Sequence, residues 1–337
     1  MAKKKREKEV IKNDNLSKAL KGVIGELPEK FKDSDEFLDI ISWNLCWFNV
    51  KDKERVDNVI QILSALNSDV FVFEEIQPGS LDGVAETLSE AGLGNYNVVY
   101  GNTGGDQRVA IMYDTDWVRA KDNIGELFGK GEVKTGDNKD AFPRLPLRGY
   151  FQCKSTQPDQ DGFSFQLVGV HLKSQMNGGG SQRRTAAEKL CWWLEKEASD
   201  VDADTIIMGD WNKGPEDEDW KPIHDLEDDG QVEFRKINDS TDFSHLYYKN
   251  KNELGSRLDI ALVSSEVKRN VVSEGAEVVK WTTINDLVDD TQSRTAAQIK
   301  ETLSNIKKHV TDHMPLFTRY YLVENAEQAP KTPKKRK

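Results

Sequence analysis

The sequence predicts an α/β domain of two mixed or largely antiparallel sheets with helices on their outer faces. Three observations carry that expectation. The chain opens strand–helix–strand, a unit that places helices outside a sheet. Many later apolar runs are joined by short polar turns, which suits antiparallel neighbours better than a purely parallel doubly wound sheet. No Pro-, Gly- or Ser-rich linker divides the 337 residues, so one large domain is expected.

LDIIS at 38–42 reads as the first buried strand. Val56, Val59, Ile60, Leu63 and Leu66 recur at helical spacing, predicting a helix over 54–66. Asn67-Ser68-Asp69 breaks it before the apolar strand VFVF at 70–73. A second helix is expected over 81–90, ending near Gly92, then strands NVVY at 97–100 and RVAIMY at 108–113. The Gly-, Lys- and Asp-rich stretch 121–140 reads as a loop or ragged hairpin. LRGYFQCK at 147–154 and FSFQLVGVHL at 163–172 form a hairpin pair, and 174–182, with three consecutive glycines, reads as loop. Ala187, Leu190, Cys191 and Leu194 mark an amphipathic helix over 183–198. TIIM at 205–208, RLDIALV at 257–263 and EVVKW at 277–281 are further strands. A polar helix over 293–308 precedes the last strand, PLFTRYYL at 315–322.

Forty-seven basic against 58 acidic residues give a net charge of −11. The ends are basic: residues 1–13 carry +4 and 331–337 carry +5, leaving −20 for residues 14–330. Such a body is a poor nonspecific polyanion binder by charge alone, though a groove can still meet phosphates through a cation and a few arginines. No run of 18 apolar residues exists, which excludes a transmembrane helix. MAKKKREKEVIKNDN lacks the apolar segment of a secretory signal, so a cytoplasmic location is expected. Cys46, Cys153 and Cys191 are odd in number and show no C-x-x-C spacing; buried thiols are expected, not a disulfide framework or zinc knuckle.

Polar groups gather where apolar strands stop. Asn44 follows LDIIS, Glu74-Glu75 follows VFVF, and His171 lies within LVGVHLKS. Asp210 and Asn212 follow TIIM, and Asp312-His313 stands just before PLFTRYYL. Asp259, flanked by Leu258 and Ile260, needs a partner if it is buried, and His313 is the best candidate. Hard divalent ions such as Mg²⁺ take few protein carboxylates and keep water and phosphate oxygens as other ligands. Glu75, Asp210 and Asp312, with amide help from Asn44 and Asn212, supply that set. An Asp259-held His313 can accept a proton from water, so metal-assisted hydrolysis of a phosphate ester is the chemistry these residues point to.

In this order the blocks ISWN, DVFVFEE, GVHLKS, MGDWN, SRLDIAL and TDHMPL resemble the endonuclease/exonuclease/phosphatase superfamily, which includes pancreatic-type deoxyribonuclease and bacterial sphingomyelinase. The resemblance covers roughly residues 38–322. It implies a four-layered α/β sandwich with the active site at one edge of two facing sheets. It implies that Glu75 binds the principal Mg²⁺, aided by Asn44 and Asp312, with Mn²⁺ as a substitute and Ca²⁺ as a structural or auxiliary ion. Asp210 and Asn212 would orient the nucleophilic water, or bind the phosphate or a second ion. His313, oriented by Asp259, would be the general base. His171 would hydrogen-bond the scissile phosphate, with an acid role near the leaving oxygen. Arg108 and Arg144 resemble arginines that approach DNA phosphate in deoxyribonuclease-like members. Two departures stand out: Glu74 where the family usually has Gln, and Trp211 where it often has Phe or Leu. The division that follows is a lead-in over 1–30, partly flexible, one catalytic domain over 31–324 and a basic tail over 325–337.

Substrate choice rests on weaker features. GDWNKGPED lacks the histidine that usually follows in abasic-site nucleases, and Lys173 alone is too little for an inositol polyphosphate. The polar inserts 121–140 and 174–182 do not resemble a membrane-facing protrusion of a sphingomyelinase. The expectation is therefore a deoxyribonuclease-like endonuclease of weak sequence preference with DNA as substrate. The alternatives are a phosphodiesterase or phosphatase for a small-molecule or lipid phosphate, and an inactive nucleic-acid-binding scaffold attached through its tails.

Overall fold

The computed structural model describes residues 26, 31, 37–155, 161–176, 178–235, 242–272 and 275–323. The basic stretches 1–13 and 331–337 lie outside them, as do the tail 325–337 and most of the lead-in. In chain order the strands are β1 (Phe37–Phe48), β2 (Val70–Ile76), β3 (Tyr96–Tyr100), β4 (Arg108–Asp114), β5 (Val118–Ala120), β6 (Gly125–Glu126), β7 (Leu147–Cys153), β8 (Ser164–His171), β9 (Thr205–Asp210), β10 (Val232–Arg235), β11 (His245–Asn250), β12 (Glu253–Ser256), β13 (Asp259–Ser264), β14 (Glu277–Val278) and β15 (Leu316–Tyr321). The helices are α1 (Lys53–Leu66), α2 (Asp82–Glu90), α3 (Gly180–Lys196), α4 (Lys221–Asp228), α5 (Thr282–Asp289) and α6 (Ala296–His309).

One sheet has the order β14-β15-β1-β2-β4-β3 and the other β10-β13-β9-β8-β7-β5, with β6 on β7 and a separate β11–β12 hairpin. Each large sheet holds one parallel pair, β1–β2 or β8–β9, and its other described pairings are antiparallel. Both parallel pairs are joined through a helix, α1 and α3 respectively, as a crossover requires. Period-two alternation then sorts the side chains. Ile206 and Met208 of β9 point into the core between the sheets, whereas Ile207 packs outward with Ala187 and Leu190 of α3. The layers are helix, sheet, sheet, helix, the sandwich expected from the sequence.

Several boundaries differ from the sequence reading. Helix α3 begins at Gly180, inside the stretch read as loop, because left-handed Gly179 (φ 84°) turns the chain into it. The strand expected over 277–281 is only two residues long, and TTINDLVD that follows is helical, burying Ile284 and Leu287 one turn apart. Helix α6 starts after Thr295, which forms a capping box with Gln298. Strand β1 is clamped to β15 by Asp39, which accepts from Arg319 Nε at 2.6 Å and Nη2 at 2.7 Å. No described helix is long and apolar enough to cross a membrane.

Candidate active site

The two parallel pairs end at the same edge of the sandwich. Cross-strand register puts His171, Asp210 and Asp259 side by side on β8, β9 and β13. It puts Asn44 beside Glu74 on β1 and β2 of the facing sheet. Gly169, two residues before His171, lets the sheets close: a Cβ there would stand 2.7 Å from Val72 Cγ1 and 2.9 Å from Val109 Cγ1. Across that narrow gap Asn44 Nδ2 donates to Asp210 Oδ2 at 3.0 Å and reaches Glu75 Oε1 at 3.5 Å.

Glu75 comes to this edge through backbone strain. A regular strand would send Glu74 and Glu75 to opposite faces. Here Glu75 adopts φ 59°, and β2 loses register with β4 between Phe73 and Ile76. Such a bulge re-aims a side chain. Of six non-glycine residues with positive φ among the described ones, four (Cys46, Trp47, Glu75 and Asn212) border the site. Each left-handed residue costs on the order of 1–3 kcal/mol, which the surrounding fold must offset. Glu75 Oε2 accepts from Trp47 N at 3.1 Å and from Gln107 Nε2 at 3.0 Å. Arg144 Nη2 in turn donates to Gln107 Oε1 at 2.6 Å.

The two histidines occupy opposite corners. His313 Nδ1 lies 2.9 Å from Asp259 Oδ2, and its Nε2 faces Asp210 Oδ2 at 4.0 Å. Burial lowers its hold on a proton, but Asp259, by charge and hydrogen bond, and then Asp210 and Asp312 outweigh it and push the ring up to about 10. His171 Nε2 stands 3.5 Å from Asp210 Oδ2 and 3.9 Å from Glu75 Oε1. Burial, helped by the positive charges of Arg144 and His313, holds His171 well below the usual histidine range. Its buried Nδ1 has no hydrogen-bond partner, which leaves Nε2 to carry the proton into the cleft.

Four carboxyls complete the electrostatics. Burial pushes Asp210 up to about 7, with His313 opposing and Asp259 adding to the shift. Burial, then the charges of Asp259 and Asp210, hold Glu74 well above the usual carboxylate range; Ser42 Oγ donates to it at 2.9 Å. A protonated Glu has nearly the shape of the Gln that the family usually carries there. Asp312 is less deeply buried. Burial would raise it, but His245, His313 and Lys307 together hold it well below its ordinary range. Asp259 is anchored at its own N–H, which donates to Ser244 Oγ at 3.1 Å.

The segment carrying Asp312 and His313 is fixed from three sides. Thr311 Oγ1 donates to the Asn44 carbonyl at 2.8 Å, Trp43 Nε1 to the His313 carbonyl at 2.9 Å, and Leu246 N to the Asp312 carbonyl at 2.7 Å. Asn44, Glu75, His171, Asp210, Asp259, Asp312 and His313 thus meet in one cleft. Asn212 closes it from below, its Nδ2 donating to the Leu172 carbonyl at 3.1 Å and its N–H to Asp210 Oδ1 at 2.8 Å. The two arginines separate. Arg144 lines a groove beside Glu75, whereas Arg108 Nε and Nη1 donate to the carbonyls of Gly105 and Gly101 and brace that loop.

Gln107, His245 and Lys307 were missed in the sequence. Gln107 stands immediately before β4, whereas His171 and Asp210 close their strands. His245 packs on His313 with ring centroids 4.7 Å apart and reaches Asp312 Oδ2 at 3.8 Å. No strand was read around it. Lys307 donates to Asp312 Oδ2 from the last turn of α6.

Hard oxygen donors crowded into a buried site, one carboxyl raised to about 7, fit a divalent cation. His245, Asp312 and His313 also offer ligand atoms within 4.8 Å of one another. A family model described as the Endonuclease/Exonuclease/phosphatase family matches residues 41–279. The chain belongs to that family, whose members hydrolyse phosphoester bonds and generally use divalent metals. Among curated proteins no match is found. Similar solved structures include an endonuclease/exonuclease/phosphatase family protein from Bacteroides thetaiotaomicron, with TM-score 0.56 and 18% identity, covering 85% of this chain and 98% of that one. The human Nocturnin catalytic domain with bound sulfate gives 0.56 and 15%, covering 88% and 100%. D. rerio TDP2 complexed with a single-strand DNA product gives 0.52 and 14%, covering 85% and 99%. At such identities the likeness establishes the fold.

Proposed function

We propose that this protein is a divalent-metal-dependent phosphodiester hydrolase, specifically a deoxyribonuclease-like endonuclease of weak sequence preference. The observation that carries the reading is the Asp259–His313 couple, 2.9 Å apart, with His313 Nε2 turned toward the same Asp210 oxygen that Asn44 links to Glu75. Asp259 fixes the ring and its tautomer, leaving Nε2 to take a proton from an attacking water. Glu75, Asp312 and Asp210 are the residues that would hold Mg²⁺ or Mn²⁺, which would supply charge neutralisation at the phosphate. A cation held by Asp210 and Asp312 would offset two of the charges that raise His313, so the ring would give up its proton more readily than in the metal-free protein. Neutral His171 donates from Nε2 to a phosphate oxygen, and Asn212 orients Asp210. A preorganised donor of this kind is worth about 2.7–4 kcal/mol at the transition state.

A polymeric substrate is supported by the groove beside Gln107. It encloses about 880 Å³ and is lined by Lys130, Arg144 and Lys173. None of these three cations pairs with a carboxylate among the described residues, in a chain whose net charge is −11. That makes the groove a track for phosphates, which position a strand without reading its sequence. D. rerio TDP2, of the same fold, holds a DNA product. The test is a panel of supercoiled plasmid, single-stranded DNA, RNA, abasic duplex, sphingomyelin and a chromogenic phosphodiester, each with Mg²⁺, Mn²⁺ and EDTA. Cleavage of DNA that EDTA abolishes is expected. Hydrolysis of the chromogenic diester with no nucleic acid cut would replace this reading with a small-molecule phosphodiesterase.

A further inference from the structure

Trp47 is a ring that the core does not use. It is 58% exposed, while its neighbours Leu45 and Phe48 are fully buried. Strand β1 breaks register with β2 between Asn44 and Phe48, and at that break Cys46 and Trp47 adopt φ 45° and 59°. Two consecutive left-handed non-glycine residues are unfavourable for the chain. Their local result is to place the Trp47 N–H on Glu75 Oε2 at 3.1 Å and leave the indole in solvent. Trp192, the other exposed tryptophan, lies under Lys189 at 3.6 Å; Trp47 has no ring or cation contact among the described residues.

The second donor to that carboxylate oxygen is Gln107, at 3.0 Å, which lines the cationic groove. Glu75 therefore stands between an uncovered aromatic ring and a groove lined by Lys130, Arg144 and Lys173, none of them salt-bridged among the described residues. A nucleotide chain has that alternation: from each phosphate a base projects about as far as an indole reaches from its backbone, and the next phosphate follows along the strand. Resting on the nuclease reading above, we propose that Trp47 is a stacking platform for the nucleobase attached to the phosphate held at Glu75, the adjoining phosphate entering the Lys130–Arg144–Lys173 groove. A paired base keeps both faces in its own stack, so the substrate is single-stranded or locally unstacked nucleic acid. Stacking is sequence-tolerant, because every base has a π-face. It is a specificity-determining contact and touches no proton in the reaction.

The experiment uses the full chain and end-labelled DNA oligonucleotides in which one abasic tetrahydrofuran residue is walked past the cleavage position. W47A is expected to raise KM on the all-base strand about 10- to 100-fold while kcat moves less than about 3-fold; W47F restores most of the loss. One abasic position should weaken wild type to the level of W47A and cost W47A nothing further. Quenching of tryptophan fluorescence by a phosphorothioate oligonucleotide, present in wild type and reduced in W47F, checks the contact without turnover. If wild type cuts oligonucleotides and W47A does so with the same KM, or if the two losses are additive, the stacking proposal alone falls. If wild type hydrolyses a chromogenic diester and cuts no oligonucleotide, the nuclease reading fails and takes this proposal with it.

Discussion

His171 and His313 lie at opposite corners of one cleft, both buried, both within 4.0 Å of the same Asp210 oxygen. One is held well below the usual histidine range and the other is pushed up to about 10. Burial lowers both, so it cannot make the difference. The partner on the far nitrogen does: Asp259 backs His313, while His171 Nδ1 is unpartnered and Arg144 adds positive charge nearby. One cleft thus disfavours the charged histidine at one end and favours it at the other, the kind of split by which environments set acid and base assignments apart.

The most severe way to erase this asymmetry is to remove its stronger side. His313→Ala is expected to lower kcat on DNA about 10³-fold, and Asp259→Asn, which leaves the ring but not its orientation, nearly as much, in steady-state assays of folded variants. His171→Ala should cost about 10²-fold, as for a lost transition-state donor. An intact rate in any of these three variants would remove that residue from the catalytic set.

Asp210 sharpens the comparison through stability. Its folded value of about 7 exceeds its ordinary 3.8, so the native state binds this proton more tightly than the unfolded chain. Its ionisation therefore destabilises the metal-free fold increasingly from pH 3.8 to 7, and by a constant amount above. Thermal melts with EDTA should show Asp210→Asn more stable than wild type at pH 8, the gap closing toward pH 4, while the variant loses activity. His313 behaves oppositely. Its value is raised from 6.5 to about 10, so its contribution is complete below pH 6.5 and is lost as pH rises through 10. Metal-free wild type should therefore lose stability over that window, and His313→Gln should not. The smallest effect is expected at Glu74→Gln. Burial disfavours the charged form of this carboxyl and an amide has nearly its shape, so kcat should change less than about 3-fold near neutral pH.

Much of this cleft was legible because its groups follow a simple rule, polar residues where apolar strands stop. His171 and Asp210 close β8 and β9, Asn44 and Glu75 sit where β1 and β2 lose register, and the Asp312-His313 pair stands just before β15. The rule says nothing of direction. Gln107 and Arg108 are adjacent in sequence where β4 begins, yet the amide meets Glu75 and the guanidinium meets the 101–105 loop. His245 was invisible because SHLYYKN shows no clear alternation. Nothing in the sequence sets Trp47 apart from the apolar residues around it; the left-handed backbone at Cys46 and Trp47 turns it outward. The layered fold was readable from strand–helix–strand order. The closeness of the sheets at Gly169 was not, since it depends on Val72 and Val109 from elsewhere in the chain.

The pairing of β1 with β15, Phe37 opposite Tyr321, has a bearing on how the protein is made. During synthesis the ribosome delivers Asn44 and Glu75 early, yet Asp312, His313 and the strand that completes their sheet emerge some 270 residues later. No nascent fragment lacking Asp312 and His313 can assemble this cluster, so the cleft closes only once β15 has emerged to pair with β1.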